Sequence, residues 1–303
     1  MKRFPALLAV VAAFAPRPAT AEPPSSVVRL IDKPTGEPLD WDPAWGDFGI
    51  ADWVLTGTAA AGILATVILP PVSEHWRGGV GPDEGVRDAM RLDTEGGRRT
   101  AREVSDVTLT LSVTYPLLVD GLVVAGWYRR SPEIAARMAL IDAEVIAVAL
   151  AVQGLTNVLV SRERPYGREC GQDEPASGRD CTSSDRYRSF FSGHTTAAFA
   201  AAAVGCSHHV NLALYGDPVA DGVACAGAFG VAAFTGLMRI AGDKHYLSDV
   251  LVGAGVGTLI GFGLPWLLHY RFGDDAEAAA GAPAAASVSL VPFGNGAALM
   301  GVF

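Results

Sequence analysis

Arg239-Ile240-Ala241-Gly242-Asp243-Lys244-His245-Tyr246-Leu247-Ser248-Asp249 is a short polar bridge between two long apolar runs, Gly222 to Ile240 and Leu247 to Leu268. Each run approaches the roughly 20 residues that an α-helix needs to cross a bilayer. The bridge therefore reads as a tight connection at one end of two helices. A helix beginning near Lys244 puts His245 and Asp249, four residues apart, on one face. There the carboxylate can accept a proton from one imidazole nitrogen, fixing the tautomer and leaving the other nitrogen free for attack. Taken alone, a His/Asp pair at this spacing is more often structural than catalytic.

Four further apolar stretches precede the pair: Ala51 to Pro70, Val107 to Trp127, Met138 to Val160 and Thr195 to Leu214. Six helices of this length predict an all-α membrane bundle over residues 48–271. The stretches are rich in Ala and Gly, which also suits a soluble bundle of buried helices. Small residues equally allow close packing inside a membrane, and length favours the membrane reading. The composition agrees, with 50% hydrophobic and 18% charged residues in a chain of 303. Asp142 and Glu144, inside the third stretch, are expected to face the bundle interior. A net charge of −9 leaves no basic excess to neutralise a nucleic-acid backbone, so no nucleic-acid partner is expected.

The ends read differently. Lys2 and Arg3, the apolar run Leu7 to Phe14 and the small-residue site Ala19-Thr20-Ala21 make residues 1–21 an export signal, or an anchor if uncleaved. Residues 22–47 form a polar lead-in, and 272–286 an Ala/Gly/Pro-rich linker. The tail, 287–303, alternates around Gly294-Asn295-Gly296 and predicts a short hairpin. Cys170 and Cys181, in a polar loop, are expected to form a disulfide in an oxidising compartment, whereas Cys206 and Cys225, inside apolar runs, read as inert packing. No cluster of His and carboxylate residues has metal-ligand spacing, so neither metal nor cofactor is expected.

Two more motifs fall at helix ends. In Arg162-Glu163-Arg164-Pro165, Pro165 is expected to stop the third helix and leave Arg164 at the boundary. An Arg in such a place ordinarily just reaches for the interface. In Phe191-Ser192-Gly193-His194-Thr195-Thr196, Ser192 can cap a helix and Gly193 lets an anion approach the free backbone N–H groups. His194 then sits where a proton donor for a leaving oxygen is needed. An ordinary helix cap is the alternative for this motif.

The order and spacing of the three motifs resemble the type 2 phosphatidic acid phosphatase superfamily, which also includes vanadium haloperoxidases and bacterial acid phosphatases. The resemblance covers about Leu140 to Leu268, through Arg164-Pro165, Ser192-Gly193-His194, Arg239, His245 and Asp249. It implies that His245 attacks phosphorus to form a phosphohistidine, that Asp249 orients it, and that His194 protonates the departing alcohol. Arg164, Arg239, Ser192 and Gly193 would hold the phosphate oxygens without a metal. The implied activity is hydrolysis of a lipid phosphate or polyprenyl diphosphate. A vanadium-dependent haloperoxidase and a catalytically weakened membrane binding or scaffold protein are the alternatives.

Three positions depart from the family pattern: Asn157 stands for its Lys, Phe191 for its Pro and Met238 for its Ser. Asn157 removes a cation from the phosphate cradle, for which Arg162, Arg188 or Lys244 are the candidate replacements. Two expected spans separate the loops that carry the motifs, so all three emerge on one membrane side. The Arg129-Arg130 turn beside Arg137 places the opposite end in the cytoplasm and the catalytic loops outside, in a bacterial-type cell membrane. A cleaved signal followed by six spans predicts the reverse; the arginine turn is given precedence.

Overall fold

The computed structural model describes residues 36–72, 75–170 and 181–271, and the backbone of 287–293 and 296–302. The expected signal at 1–21 and the linker at 272–286 lie outside the described residues. Among the described residues there are seven α-helices: α1 Ile50–Ile68, α2 Asp83–Met90, α3 Glu95–Tyr115, α4 Pro132–Val160, α5 Gly193–Leu212, α6 Pro218–Ala241 and α7 Leu247–Pro265. Six coincide with the six apolar stretches, and α2 is a short extra helix within the charged connection. The tail forms the expected hairpin, β1 Ser287–Phe293 paired antiparallel with β2 Gly296–Val302, from Ser287 opposite Val302 to Phe293 opposite Gly296.

α3 starts well before its apolar stretch, because Thr94 caps it by accepting the Gly97 N–H at 3.1 Å and Glu95 pairs with Arg98 one turn on. It runs on as a wider, π-type coil from Pro116 to Tyr128, and α7 does the same from Trp266 to Tyr270. Pro116 has no N–H to give to the α ladder, and a widened coil absorbs the loss. α4 does not wait for Pro165 to stop it. Its last residue is Val160, and Ser161 turns left-handed with φ 48°, held there as its hydroxyl donates to the Val72 carbonyl at 3.1 Å.

Among the described residues five helices are long and apolar enough to cross a membrane: α1, α3 with its extension, α4, α6, and α7 with its extension. Their outward faces expose Trp53, Leu64, Val67, Leu118, Leu159 and Leu259, a surface suited to lipid rather than water. α5 is the exception. It is the axis of the bundle, with Ala198, Ala200, Ala203 and Thr195 fully enclosed. Alanine lets its neighbours come close, and α7 answers with Gly253, Gly257 and Gly261 on one face. A methyl group on Gly257 would stand 2.4 Å from the Thr196 carbonyl oxygen, and one on Gly261 2.5 Å from that of Ala200. The helices thus pack nearly backbone to backbone, as small-residue stripes permit.

Cys206 of α5 and Cys225 of α6 are joined as a disulfide rather than lying as separate packing residues, and Cys170 is bonded to Cys181 as expected. The described part of the lead-in closes the other end of the bundle. Leu39 is buried against Ala125, Ile134 and Met138, its N–H donates to Ser131 Oγ at 2.8 Å, and Trp41 and Trp45 pack edge-on beside Tyr270.

Candidate active site

The C-terminal end of α4, the N-terminal end of α5 and the α6–α7 turn meet at one end of the bundle around a cavity of about 550 Å³. Its walls include Arg164, His194, Arg239 and His245, so four of the expected residues line one space, and Gly193 joins them. Among the described residues Arg102, Arg188 and Lys244 add three more cations, against the carboxylates of Asp106 and Asp185. The balance favours an anion.

His245 lies ahead of α7, which begins at Leu247, and not on the helix with Asp249. Its Nδ1 is 2.8 Å from the Ser189 carbonyl oxygen, which can only accept, so Nδ1 carries the proton. Nε2 is thereby left with its lone pair, facing Arg164 Nη1 at 3.0 Å. Asp249 was expected to take the imidazole proton directly; its Oδ2 is 3.6 Å from Nδ1, and the backbone carbonyl is nearer. Asp249 is drawn back because it caps α7, accepting the Tyr246 N–H at 2.9 Å, and accepts the Ser189 hydroxyl at 2.6 Å. Ser189 thus bridges the two, its hydroxyl on the carboxylate and its carbonyl on the imidazole. Burial, and then the positive charges of Arg164 and Arg239, hold His245 well below the usual histidine range. The imidazole is neutral at pH 7, as a nucleophile must be.

Arg164 is fixed from behind, its Nε donating to the Asp185 carbonyl at 2.9 Å and its Nη2 to Asp185 Oδ1 at 3.0 Å. Arg239 donates to Ser105 Oγ at 3.1 Å, while its Nε is buried with no hydrogen-bond partner among the described residues. His194 Nε2 stands 2.7 Å from Asp106 Oδ1, which also lies 3.5 Å from Arg239. The sequence reading did not single out Asp106. Its only local signal is a carboxylate just before an apolar stretch, and it becomes informative once α3 is seen packed against α6.

Ser192 is buried and does not line the cavity. Its Oγ accepts from the Thr195 hydroxyl at 2.9 Å, so the oxygen serves as the helix cap. Asn157 does face the cavity, giving its amide to the Phe191 carbonyl at 3.2 Å and leaving Oδ1 buried and unpartnered among the described residues.

Arg162 does not replace the missing cation. It is wholly buried, with Nη1 on Asp249 Oδ1 at 2.6 Å and Nη2 on Asp83 Oδ2 at 2.7 Å. Asp83, from α2, also accepts the N–H and hydroxyl of Ser248 at 2.8 and 2.6 Å. Burial opposes its ionisation, but the bonds from Ser248, Val80 and Arg162 prevail and hold the carboxyl below the ordinary range. The charged segment around α2 is therefore a belt that ties the motif loops together. Arg87 and Arg91 reinforce it on Asp243, at 2.7 and 2.9 Å.

Residues 139–273 match the model of the PAP2 superfamily. Over 86 residues, 28% of this chain, the sequence is 41% identical to lipid A 1-phosphatase of Porphyromonas gingivalis, and the match spans 18% of that protein's length. The fold is similar to the crystal structure of a transmembrane PAP2 type phosphatidylglycerolphosphate phosphatase from Bacillus subtilis, with a TM-score of 0.44 and 17% identity, covering 71% of this chain and 92% of that one. The stretch that matches the PAP2 superfamily model, residues 139–273, carries all three motifs.

Proposed function

We propose that this protein is a membrane phosphatase that removes a phosphate from a lipid through a phosphohistidine on His245. The observation that carries the reading is the Nε2 lone pair of a neutral, buried His245 facing a cavity whose cations outnumber its carboxylates. A phosphate seated there takes the hydrogen bonds that Arg164 now offers to Nε2 and the free Nε–H of Arg239. Both interactions strengthen as charge builds on the phosphorus oxygens.

Attack by Nε2 forms the N–P bond as the P–O bond to the lipid breaks. The imidazole becomes cationic, and the Ser189 carbonyl and nearby Asp249 favour that charge. Burial and then Arg239 push His194 down to about 4 against the pull of Asp106 at 2.7 Å; the charge of the incoming phosphate raises it again, so His194 takes up a proton with the substrate and gives it to the departing alkoxide. Neutral His194 then takes a proton from water as the water attacks phosphorus, releasing inorganic phosphate and restoring both histidines. A lipid ester suits the site because Ile63 and Val67 of α1 and Leu150 of α4 form an apolar wall beside the cations. We place the catalytic end on the periplasmic side, since the Arg129-Arg130 turn belongs to the other end.

The experiment is phosphate release by purified protein in detergent from phosphatidate, a polyprenyl diphosphate and a lipid A phosphate. Hydrolysis of at least one that disappears in His245→Ala supports the reading. Activity in Asn157→Lys but not in wild type makes the natural chain a weakened phosphatase with a binding role. Silence from both overturns the assignment.

A further inference from the structure

Beyond the phosphate cavity, a second cluster of ionisable groups lies inside the bundle at its other end. Asp52 of α1, Glu144 of α4 and His269 of the α7 extension are all buried, and one potential ligand atom from each lies within 4.8 Å of the others. We propose that these three side chains bind one divalent transition-metal ion of the zinc class.

The charge of the cluster favours a bound cation. Two carboxylates are withdrawn from water, and among the described residues neither has a Lys or Arg partner. Leaving such charges uncompensated inside a bundle is costly. A proton on His269 would answer only one of them, whereas a divalent ion answers both.

His269 is aimed at the same point. Its Nδ1 is 3.4 Å from the Gly46 carbonyl oxygen, which can only accept, and its Nε2 is 3.2 Å from Glu144 Oε2. A proton on Nε2 would be given to that carboxylate; with the proton on Nδ1, the Nε2 lone pair and Oε2 both face one point, where a metal ion is held by the two together. A backbone carbonyl on the far nitrogen is also how metal-binding histidines are commonly oriented.

Glu144 has a donor atom to spare. It is completely buried, and Oε1 has no hydrogen-bond partner among the described residues. Asp52 spends Oδ2 on its own helix cap, accepting the Gly49 N–H at 2.6 Å, and keeps Oδ1 for a ligand. One imidazole and two carboxylates are a donor set for zinc rather than for calcium or magnesium, which prefer oxygen alone. Ligand atoms around a tetrahedral zinc stand roughly 3.4 Å apart when the bonds are about 2.1 Å. Closing the cluster from 4.8 Å needs only small side-chain adjustments. The sequence hid this set because its members come from three distant stretches with no ligand spacing among them.

The test uses the full chain in detergent, dialysed against zinc and then against metal-free buffer. Metal content is measured directly, and affinity by competition with a chromophoric chelator. Wild type and His194→Ala, which alters only the cavity end, are expected to retain about one zinc per chain. Glu144→Gln and His269→Gln are expected to bind at least about a hundredfold more weakly, since even outer-shell partners are worth 10–100-fold. Cobalt loading of wild type guards against a folding failure in those variants: visible d–d bands of a four- or five-coordinate nitrogen/oxygen site support the proposal. Wild type that holds no metal, or metal that persists in both variants, overturns it. The readout is metal, so it stands apart from whether any lipid phosphate is hydrolysed.

Discussion

Replacing Arg162 by Met is the sharpest probe of how the bundle holds its catalytic end. The guanidinium donates to Asp249, Ser248, Asp83 and the Gly78 carbonyl at 2.6 to 3.2 Å, and lies over the rings of Trp76 and Tyr246 at 4.1 and 4.3 Å. Met keeps most of the volume but leaves the carboxylates of Asp83 and Asp249 in the interior without their cation. Breaking a buried ion pair costs about 3–5 kcal/mol, and with two carboxylates stranded the upper half of that range is expected. Unfolding by SDS in mixed micelles, followed by tryptophan fluorescence, measures the loss. Adding Asp83→Asn to the same chain removes one stranded charge and should recover about 0.5–3 kcal/mol, the usual coupling between contacting residues. Arg162 does not line the cavity, so kcat should fall while KM moves little. A single variant within about 1 kcal/mol of wild type, the value of an exposed pair, refutes the reasoning.

The acid limb of kcat/KM should lie below pH 6.5, because His245 keeps its lone pair until pH falls through its lowered value, and Arg164→Gln should move the limb upward by removing a nearby positive charge. A limb at or above 6.5 that ignores Arg164 argues against His245 as nucleophile. Asp106→Asn should lower kcat by about ten- to a hundredfold, part of the 10²–10⁴ that a positioned acid supplies, with an unchanged unfolding midpoint in the same micelle assay. Gly257→Ala should cost about 1–3 kcal/mol through its 2.4 Å clash with Thr196, whereas Gly255→Ala, with nothing within 4 Å, should be silent.

The helices were legible because bilayer thickness imposes a length that residues must meet, and all six apolar stretches became helices. Their inner and outer faces were not. α5 and α1, both with Ala as their commonest residue, both read as spans, yet one is enclosed and the other broadly exposed. At the site, Arg164, His194, Arg239 and His245 converge as their spacing implied. Ser192 caps α5 from a buried position behind the cavity wall, a placement that packing decides and its sequence motif does not. Of the three candidate replacements for the missing cation, Arg188 and Lys244 line the cavity and Arg162 is buried behind it on Asp83 and Asp249. Its partner Asp83 sits in a charged segment with no period, where sequence gives no sign of burial. The Ser189 carbonyl, being backbone, leaves no trace in the sequence at all.

The enclosure of α5 bears on how the chain enters a membrane. A helix of alanine, glycine and two adjacent histidines, His208 and His209, gains little from hydrocarbon on its own, and it is not among the five segments apolar enough to cross. Its partition into lipid must be drawn from neighbours that bury it: α4 made before it, α6 and α7 made after. Insertion is then cooperative across the catalytic half, and α5 has to wait at the translocon for segments not yet synthesised. The same alanines that bring His194 close to His245 thus make the order of synthesis part of the folding problem.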